Sequence, residues 1–253
     1  MSELVGRPLE GRVFEGIRRV RLADVSPAGR LRLDAIARFL QDLSADDTAD
    51  AALPDAEAWV VRRTLIEVMA FPRYLEPLRL ATWCSGTGSH WAERRISVRG
   101  EHGGIVEAAT TWVHVDPASG RPQRIPASFH DRYGEAAGGR KVTARLHHPE
   151  RVASAVVERF PWPLRFSDFD VLGHVNNAAV WQMVEEALAA RPHLRPHPLA
   201  PLRAEVQHRT SIERGATLEV AVADEEGAFR LWATTNAGLA VTALAARSAT
   251  ATP

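Results

Sequence analysis

The sequence predicts an α+β fold made of two tandem copies of one unit, each with a long helix packed on an antiparallel sheet. The order strand, helix and four strands is predicted twice along the 253 residues. An Asp-Val pair, beginning at Asp24 and at Asp170, stands ahead of each helix. The chain is 45% hydrophobic and 25% charged, which is enough apolar material for a folded core. We therefore expect an internal duplication.

The first unit is assigned to residues 1–135 and begins with a predicted strand over 13–22, which is rich in branched residues. A helix over 34–43 follows, with Asp34 suited to cap it. Its apolar residues recur at helical spacing: Ile36, Phe39, Leu40 and Leu43. Four strands separated by turn-forming residues complete the unit: 59–69, 78–86, 91–100 and 105–116.

A linker over 136–149 separates this unit from the second, at 150–253, where the same order returns. A strand is predicted over 156–166 and a helix over 179–190. The remaining four strands are predicted at 204–213, 217–225, 229–236 and 239–248. The buried face of the helix is predicted to hold Val180, Trp181, Val184, Ala187 and Leu188. Glu185 and Glu186 are expected on its solvated side.

Composition excludes several classes of protein. The formal net charge is zero, so no global field favours nucleic acid. No apolar run reaches the roughly 18 residues of a membrane span, and the N-terminus has no signal pattern, so a cytoplasmic protein is expected. Cys84 is the single cysteine, and no Cys/His cluster has zinc-ligand spacing. Neither a metal nor a cofactor is expected.

One long helix lying on an antiparallel sheet is the hot-dog unit, and two such units pair their sheets side by side as a pseudo-dimer. The segment RFSDFDVLGHVNNAAVWQMVEE, residues 165–186, resembles the D-x-x-G-H-V-N-N segment of hot-dog thioesterases. Three stretches of the first half resemble the N-terminal unit of fatty acyl-ACP thioesterases: 40–53, 59–100 and 110–126. A homodimer of the whole chain is left open.

The resemblance implies hydrolysis of the thioester between a fatty acyl chain and the phosphopantetheine arm of acyl carrier protein (ACP). It also implies that the N-terminal unit shapes the acyl pocket, while the C-terminal unit carries the chemistry. Three alternatives stay open. The substrate could be an acyl-CoA, the protein could be a catalytically silent acyl-binding or scaffold protein, or, less favoured, it could be a dehydratase.

Thioester hydrolysis needs a base or nucleophile, a donor for the oxyanion and a dry slot for the chain. Asp170 matches the family aspartate and is the candidate for activating a water molecule or attacking the thioester directly, whereas Asp168 is expected to cap the turn. His174 is the candidate for orienting water, polarising the carbonyl or protonating the leaving thiol. The candidate oxyanion and substrate-binding residues are Gly173, Val175, Asn176 and Asn177, with free N–H groups expected at Val175 and Asn176. For Asn177 a structural role as a cap or turn residue is favoured.

The chain departs from the plant-type pattern in two places. Leu172 stands where those enzymes have an Asn, and Ser211 and Ile212 stand where they have a Glu-Cys pair. Leucine cannot hydrogen-bond to water or orient His174. The matching place in the first unit, residues 24–35, keeps the aspartate but lacks the Gly-His-Val-Asn-Asn run, so only the second unit is expected to carry out chemistry.

Four groups of residues outside this segment are also assigned. Cys84 is expected to be a small buried hydrophobe, since no His or Asp adjoins it. His208 is a candidate to face the site. The Arg pairs at 18/19, 62/63 and 94/95 are predicted on exposed strand faces, where one could meet the carrier or a phosphate. Core or acyl-tunnel positions are predicted for Trp59, Trp83, Trp91 and Trp112.

Overall fold

A computed structural model describes residues 4–53, 59–151, 157–194 and 201–247. The ends of two predicted strands, residues 156 and 248, lie outside this part of the chain. No helix in the described ranges is long and apolar enough to cross a membrane.

The first unit contains one helix between its first and second strands, as predicted. Its elements are β1 (Phe14–Arg19), α1 (Leu33–Asp50), β2 (Trp59–Ala70), β3 (Pro77–Thr87), β4 (Trp91–Gly100) and β5 (Ile105–His114). The second unit repeats this order with β6 (Glu158–Pro161), α3 (Asn177–Ala189), β7 (Leu202–His208), β8 (Leu218–Glu225), β9 (Ala228–Thr235) and β10 (Gly238–Arg247). Each predicted strand and helix overlaps an observed one.

The strands described form one antiparallel sheet of ten, in the order β1-β3-β4-β5-β2-β7-β10-β9-β8-β6. Read from one edge to the middle, the order is β1-β3-β4-β5-β2. Read from the other edge, it is β6-β8-β9-β10-β7, so the two units contribute equivalent strands in the same order. The two units meet where β2 pairs with β7, with Arg63 opposite Gln207 and Val68 opposite Leu202. The predicted α+β fold of two hot-dog units is therefore confirmed.

Helices α1 and α3 lie on the same face of this sheet and share a single hydrophobic core. The core includes Leu33, Ile36 and Leu43 from α1, and Trp181, which is 1% exposed, from α3. The predicted buried face of α3 is correct, since its five residues are all buried. Because both helices contribute to one core, neither unit buries its apolar surface alone.

An additional helix, α2 (Ala127–Ala137), precedes the linker and was not predicted. Phe129, Tyr133 and Ala137 recur at helical spacing and are buried. They pack with Cys84 and Trp59 in a separate cluster against the first unit. The helix ends at Gly138, which adopts the left-handed conformation with φ of +54°. Residues 127–135 had been assigned to the first unit without a secondary-structure element, and the last two residues of the helix to the linker.

Candidate active site

Asp168 is a buried structural residue, as expected. Its carboxylate accepts a hydrogen bond from the amide of Arg165 at 2.8 Å and forms an ion pair with the Arg165 guanidinium at 2.9 Å. Its carbonyl accepts the N–H of Asn176 at 2.8 Å. Asp168 therefore fixes both ends of the segment that precedes α3.

Asp170 and His174 stand at the two ends of a tight hairpin loop. The amide of Asp170 donates to the carbonyl of His174 at 2.9 Å, and the amide of Gly173 donates to the carbonyl of Asp170 at 3.0 Å. Gly173 has a φ of +78°, a conformation that favours glycine in such loops. The loop brings the carboxylate and the imidazole to the same place, although their side chains are not hydrogen-bonded to each other.

The side chains of Asp170, His174 and Asn177 all line one cleft of about 670 Å³ between the two units. The opposite wall comes from the first unit and includes Trp59, Val113 and Arg62. One carboxylate oxygen of Asp170, Oδ1, accepts the N–H of Leu172 at 3.0 Å. The other has no hydrogen-bond donor in the described part of the chain, so it is available to a water molecule.

Glu213 is a site residue that the sequence did not reveal. Its Oε1 lies 3.2 Å from Nε2 of His174, and the two residues face each other across an antiparallel bridge. The sequence alignment placed the acidic position of the plant-type pair at Ser211, two residues earlier, and Ser211 donates its hydroxyl to Glu213 at 2.7 Å. Glu213 therefore supplies a carboxylate beside His174.

The expectation of free N–H groups at Val175 and Asn176 is wrong. The amide of Val175 donates to the carbonyl of Ile212 at 2.9 Å, and that of Asn176 donates to Asp168. Gly173 is likewise engaged through its own amide. Asn176 is the N-cap of α3, since its side chain accepts the N–H of Ala178 at 2.8 Å. The amide of Asn177 has no acceptor among the described residues, so the free N–H group lies one residue further along.

The hairpin ahead of α3 has a counterpart ahead of α1. Gly29, with φ of +78°, donates its amide to the carbonyl of Ser26 at 2.8 Å, as Gly173 does to Asp170. The amide of Arg32 donates to the carbonyl of Asp24, as Asn176 does to Asp168. Asp24 is thus the counterpart of Asp168, and the expected match between Asp24 and Asp170 is wrong by two residues.

By the same register, the first unit has Ser26 in place of Asp170, Arg30 in place of His174 and Leu33 in place of Asn177. The glycine of the motif is retained there, contrary to expectation, because the turn itself requires it. The candidate catalytic side chains are not retained. Only the second unit combines the loop with a carboxylate and an imidazole.

Glu185 is buried, not solvated as expected. It forms an ion pair with Arg30, and its Oε2 accepts the amide of Leu33 at 3.0 Å. Leu33 is the counterpart of Asn177, so in the first unit the N–H group at the start of the helix binds a carboxylate oxygen. Asn177 lines the cleft, and its N–H has no acceptor of this kind among the described residues.

Three cavities that share lining residues follow one another from the cleft into the first unit and define a candidate path. Asn177 and Val61 line both the cleft and a narrow constriction behind it. Ser44 and Trp112 line both this constriction and a pocket of about 320 Å³. That pocket lies between α1 and the sheet, and its wall includes Trp59, Leu53, Ala92, Cys84 and Phe129. Trp59 and Trp112 therefore stand on the path, as one of the two predicted roles requires.

Cys84 is buried, and burial raises the pKa of its thiol to about 11. A thiol with such a pKa is almost entirely protonated near neutral pH and is a poor nucleophile. The interpretation of Cys84 as a small buried hydrophobe agrees with these findings.

The arginine pairs do not all lie on exposed strand faces. Arg63 and Arg95 are buried, and Arg94 forms an ion pair with the buried Asp47. Arg62 lines the cleft together with His208 and Arg209. Burial and the charge of Arg209 lower the pKa of the Arg62 guanidinium. The Arg62 guanidinium donates to the backbone carbonyls of His208 and Arg209, and Arg209 forms an ion pair with Glu150 at 2.8 Å.

Leu172 lies on the wall of the cleft with 64% of its surface exposed. Its side chain offers no hydrogen bond to Asp170 or His174, although its backbone N–H binds the Asp170 carboxylate. Ser211 and Ile212 also line the cleft. The charged or titratable side chains of the loop and its bridge partner are those of Asp170, His174 and Glu213.

Two domain descriptions of one protein family match this chain. The acyl-ACP thioesterase N-terminal domain matches residues 11–133, and the acyl-ACP thioesterase C-terminal domain matches residues 152–246. An uncharacterised protein of Mycobacterium tuberculosis strain H37Rv is 29% identical over 231 residues, which is 90% of this chain and 89% of that protein.

Two solved structures with related descriptions are similar over their whole length. The 12:0-ACP thioesterase of Umbellularia californica gives a TM-score of 0.75 at 17% identity, covering 95% of this chain and 98% of that one. An acyl-ACP thioesterase from Bacteroides thetaiotaomicron gives 0.73 at 17% identity, covering 93% of this chain and 98% of that one. At these identities the likeness shows the fold.

Proposed function

Because the chain belongs to the acyl-ACP thioesterase family and is a thioester hydrolase, we propose that it converts fatty acyl-ACP to free fatty acid and holo-ACP. The observation that carries the proposal is the meeting of Asp170, His174 and the unpaired amide of Asn177 at one cleft. These groups supply the base, the acid and the oxyanion donor that thioester hydrolysis needs.

In the proposed reaction, Asp170 takes a proton from a water molecule whose oxygen attacks the thioester carbonyl carbon. The negative charge that develops on the carbonyl oxygen is stabilised by the N–H of Asn177 at the start of α3. The carbon–sulfur bond then breaks, and His174 supplies the proton for the leaving thiolate. The products are a carboxylic acid and a free pantetheine thiol. The cycle closes when Asp170 releases its proton to solvent and His174 takes up a proton from solvent, so atoms and charge balance.

The acyl chain is proposed to pass Asn177 and enter the pocket between α1 and the sheet of the first unit. The lining of this pocket supports the proposal, because aliphatic and aromatic side chains dominate it. Residues 1–135 would then set the acyl pocket and residues 150–253 the chemistry. The linker would be residues 136–149.

The carrier is proposed to be ACP because the two matching domain families are those of acyl-ACP thioesterases. The phosphate of the pantetheine arm in acyl-ACP is a phosphodiester with one negative charge, which Arg62 at the cleft would bind. Coenzyme A presents the same pantetheine, so kinetics with dodecanoyl-ACP and dodecanoyl-CoA separate the two carriers. A large preference for the CoA ester would overturn the carrier assignment and leave the hydrolase assignment intact.

The Asp170→Asn variant tests the catalytic assignment, since it keeps the shape of the side chain and removes the base. We expect kcat to fall by about 10²–10⁴-fold, the usual contribution of general base catalysis. Ser26→Ala is the matched control because Ser26 holds the equivalent position in the first unit, and its rate should equal that of the native chain. Unchanged hydrolysis by Asp170→Asn would favour the catalytically silent alternative or a different site.

A further inference from the structure

A second cluster of polar side chains lies on the face of the sheet opposite the helices. In β7, Ala204 and Val206 belong to the core beneath the helices, so the alternate residues Glu205 and Gln207 point to the other face. The linker crosses this face, and the indole N–H of Trp232 binds the carbonyl of Pro149 at 2.8 Å. This contact holds the linker against the sheet.

Three potential metal ligands converge where the linker crosses β7. Nε2 of His147 lies 3.2 Å from Oε1 of Glu205, and Nε2 of His148 lies 3.4 Å from the same oxygen. All three ligand atoms lie within 4.8 Å of one another. Ligands about 2.0–2.1 Å from a tetrahedral Zn²⁺ are separated by about 3.4 Å, so the two contacts with Glu205 already have the spacing of such a site.

The cluster contains buried polar atoms without hydrogen-bond partners, which indicates that a ligand binds there. His148 is 5% exposed, and neither of its ring nitrogens has a hydrogen-bond partner of ordinary geometry in the described ranges. Glu205 is also 5% exposed. The two histidines are the only basic side chains in the described ranges within ion-pair distance of it.

We propose that His147, His148 and Glu205 bind a divalent first-row metal ion, with Zn²⁺ the best match, and that the ion fastens the linker to the sheet. Two imidazoles and a carboxylate form a common zinc ligand set. A buried carboxylate without a cation is costly, and the ion would compensate its charge. His147 is 52% exposed, which leaves the fourth position of the ion open to water.

Gln207 holds the three ligands in position. Its side-chain oxygen accepts the backbone amides of His147 and His148, each at 3.1 Å. Its side-chain nitrogen donates to Oε1 of Glu205 at 2.6 Å. Supporting contacts of this kind orient ligands around bound metals in proteins. The ligand residues are therefore held in position before an ion binds.

The proposal departs from the expectation that no metal binds. That expectation rested on the spacing of cysteines and histidines along the chain. Here the adjacent pair His147-His148 is completed by Glu205, 57 residues later than His148, and only the fold brings them together. The proposal is independent of the thioesterase assignment.

Cobalt titration of the metal-free full chain provides the test, because four-coordinate Co²⁺ with nitrogen and oxygen ligands absorbs visible light. We expect one Co²⁺ per chain, displaced by Zn²⁺, and a higher melting temperature when Zn²⁺ is in excess. His147→Ala should weaken binding by more than about 100-fold, exceeding the usual cost of losing a supporting contact. His147 is half exposed, so this variant should fold.

His102→Ala is the matched control, since His102 is an exposed histidine in the turn between β4 and β5. It should bind Co²⁺ like the native chain. Glu205→Gln should also lose binding, provided circular dichroism shows that it is folded. Binding well below one equivalent, or equal affinity in His147→Ala, would overturn the proposal and leave a buried ion pair between His147 and Glu205 as the role of the cluster.

Discussion

At the scale of single residues, Glu213 is placed to orient His174. Its carboxylate lies 3.2 Å from the imidazole nitrogen that faces it, and it is 64% exposed, so its removal should leave the fold intact. Glu213→Gln should lower kcat by about tenfold with little change in KM. The effect should be smaller than the loss of His174 itself, because Glu213 acts on the reaction only by orienting that residue. Steady-state hydrolysis of one acyl thioester measures both constants.

Glu219→Gln is the control for this variant, because Glu219 is an exposed glutamate on β8 whose Arg159 partner is exposed too. Its kinetics should match those of the native chain. If Glu213→Gln changed only KM, Glu213 would act in substrate binding and not through His174.

His208 makes stability depend on pH. Burial and the nearby charge of Arg62 lower its pKa to about 4, and its Nε2 is buried without a partner in the described ranges. In the unfolded chain the histidine titrates near 6.5. As pH falls from about 6.5 toward 4, His208 becomes protonated in the unfolded state but stays neutral in the folded state. The free energy of unfolding therefore decreases over this range.

The measurement is urea unfolding at pH 7.5 and pH 5.0 for the native chain and for His208→Gln. The loss of stability between the two pH values should be smaller in the variant, because glutamine does not titrate. An equal loss in both proteins would show that other groups dominate this pH range.

The site could be predicted from the sequence only for residues that lie close together along the chain. Asp170, His174 and Asn177 were proposed from one continuous motif and line one cleft. The partners of the amides could not be foreseen, because Ile212 reaches Val175 from another part of the chain. For the same reason the roles of Glu213 and Glu185 emerged only from the fold.

At the scale of elements, helix α1 forms one wall of the proposed acyl path. Ser44 is buried in it, donates its hydroxyl to the carbonyl of Leu40 and lines both the constriction and the inner pocket. Ser44→Phe should close the passage while keeping the helix. We expect loss of hydrolysis of tetradecanoyl thioesters, with hydrolysis of butanoyl thioesters retained as the internal control. Equal loss for both chain lengths would argue against this path.

The length of α1 could not be read from its pattern. The prediction ended at residue 43, whereas the helix continues to Asp50. The added turns contain Asp47, which is 1% exposed and binds Arg12, Arg94 and the hydroxyl of Tyr133. Helix prediction from sequence relies on apolar residues that recur along the buried face. Asp47 occupies this buried face as a charged residue, so the apolar pattern stops before the helix does. The partners that neutralise Asp47 are distant in sequence and could not be foreseen.

At the scale of the whole molecule, the pairing of β2 with β7 makes one sheet from two units. The duplicated order of elements was enough to predict this architecture, because each unit alone would expose an edge strand and an apolar helix. The buried ion pair between Arg30 of the first unit and Glu185 of α3 adds a polar contact across the same junction. Unfolding should accordingly be a single transition.

The adjacent residues Glu185 and Glu186 test how much this contact contributes. Glu185 is 7% exposed and binds both Arg30 and the amide of Leu33, whereas Glu186 is exposed. Glu185→Gln should lower the free energy of unfolding by roughly 3 kcal/mol, because Arg30 would remain largely buried without its partner. Glu186→Gln should change it by less than about 0.5 kcal/mol. Urea unfolding followed by tryptophan fluorescence measures both, and equal effects would show that the ion pair does not join the units.

A large effect of Glu185→Gln, with unfolding still a single transition, would show that both units fold together through this contact.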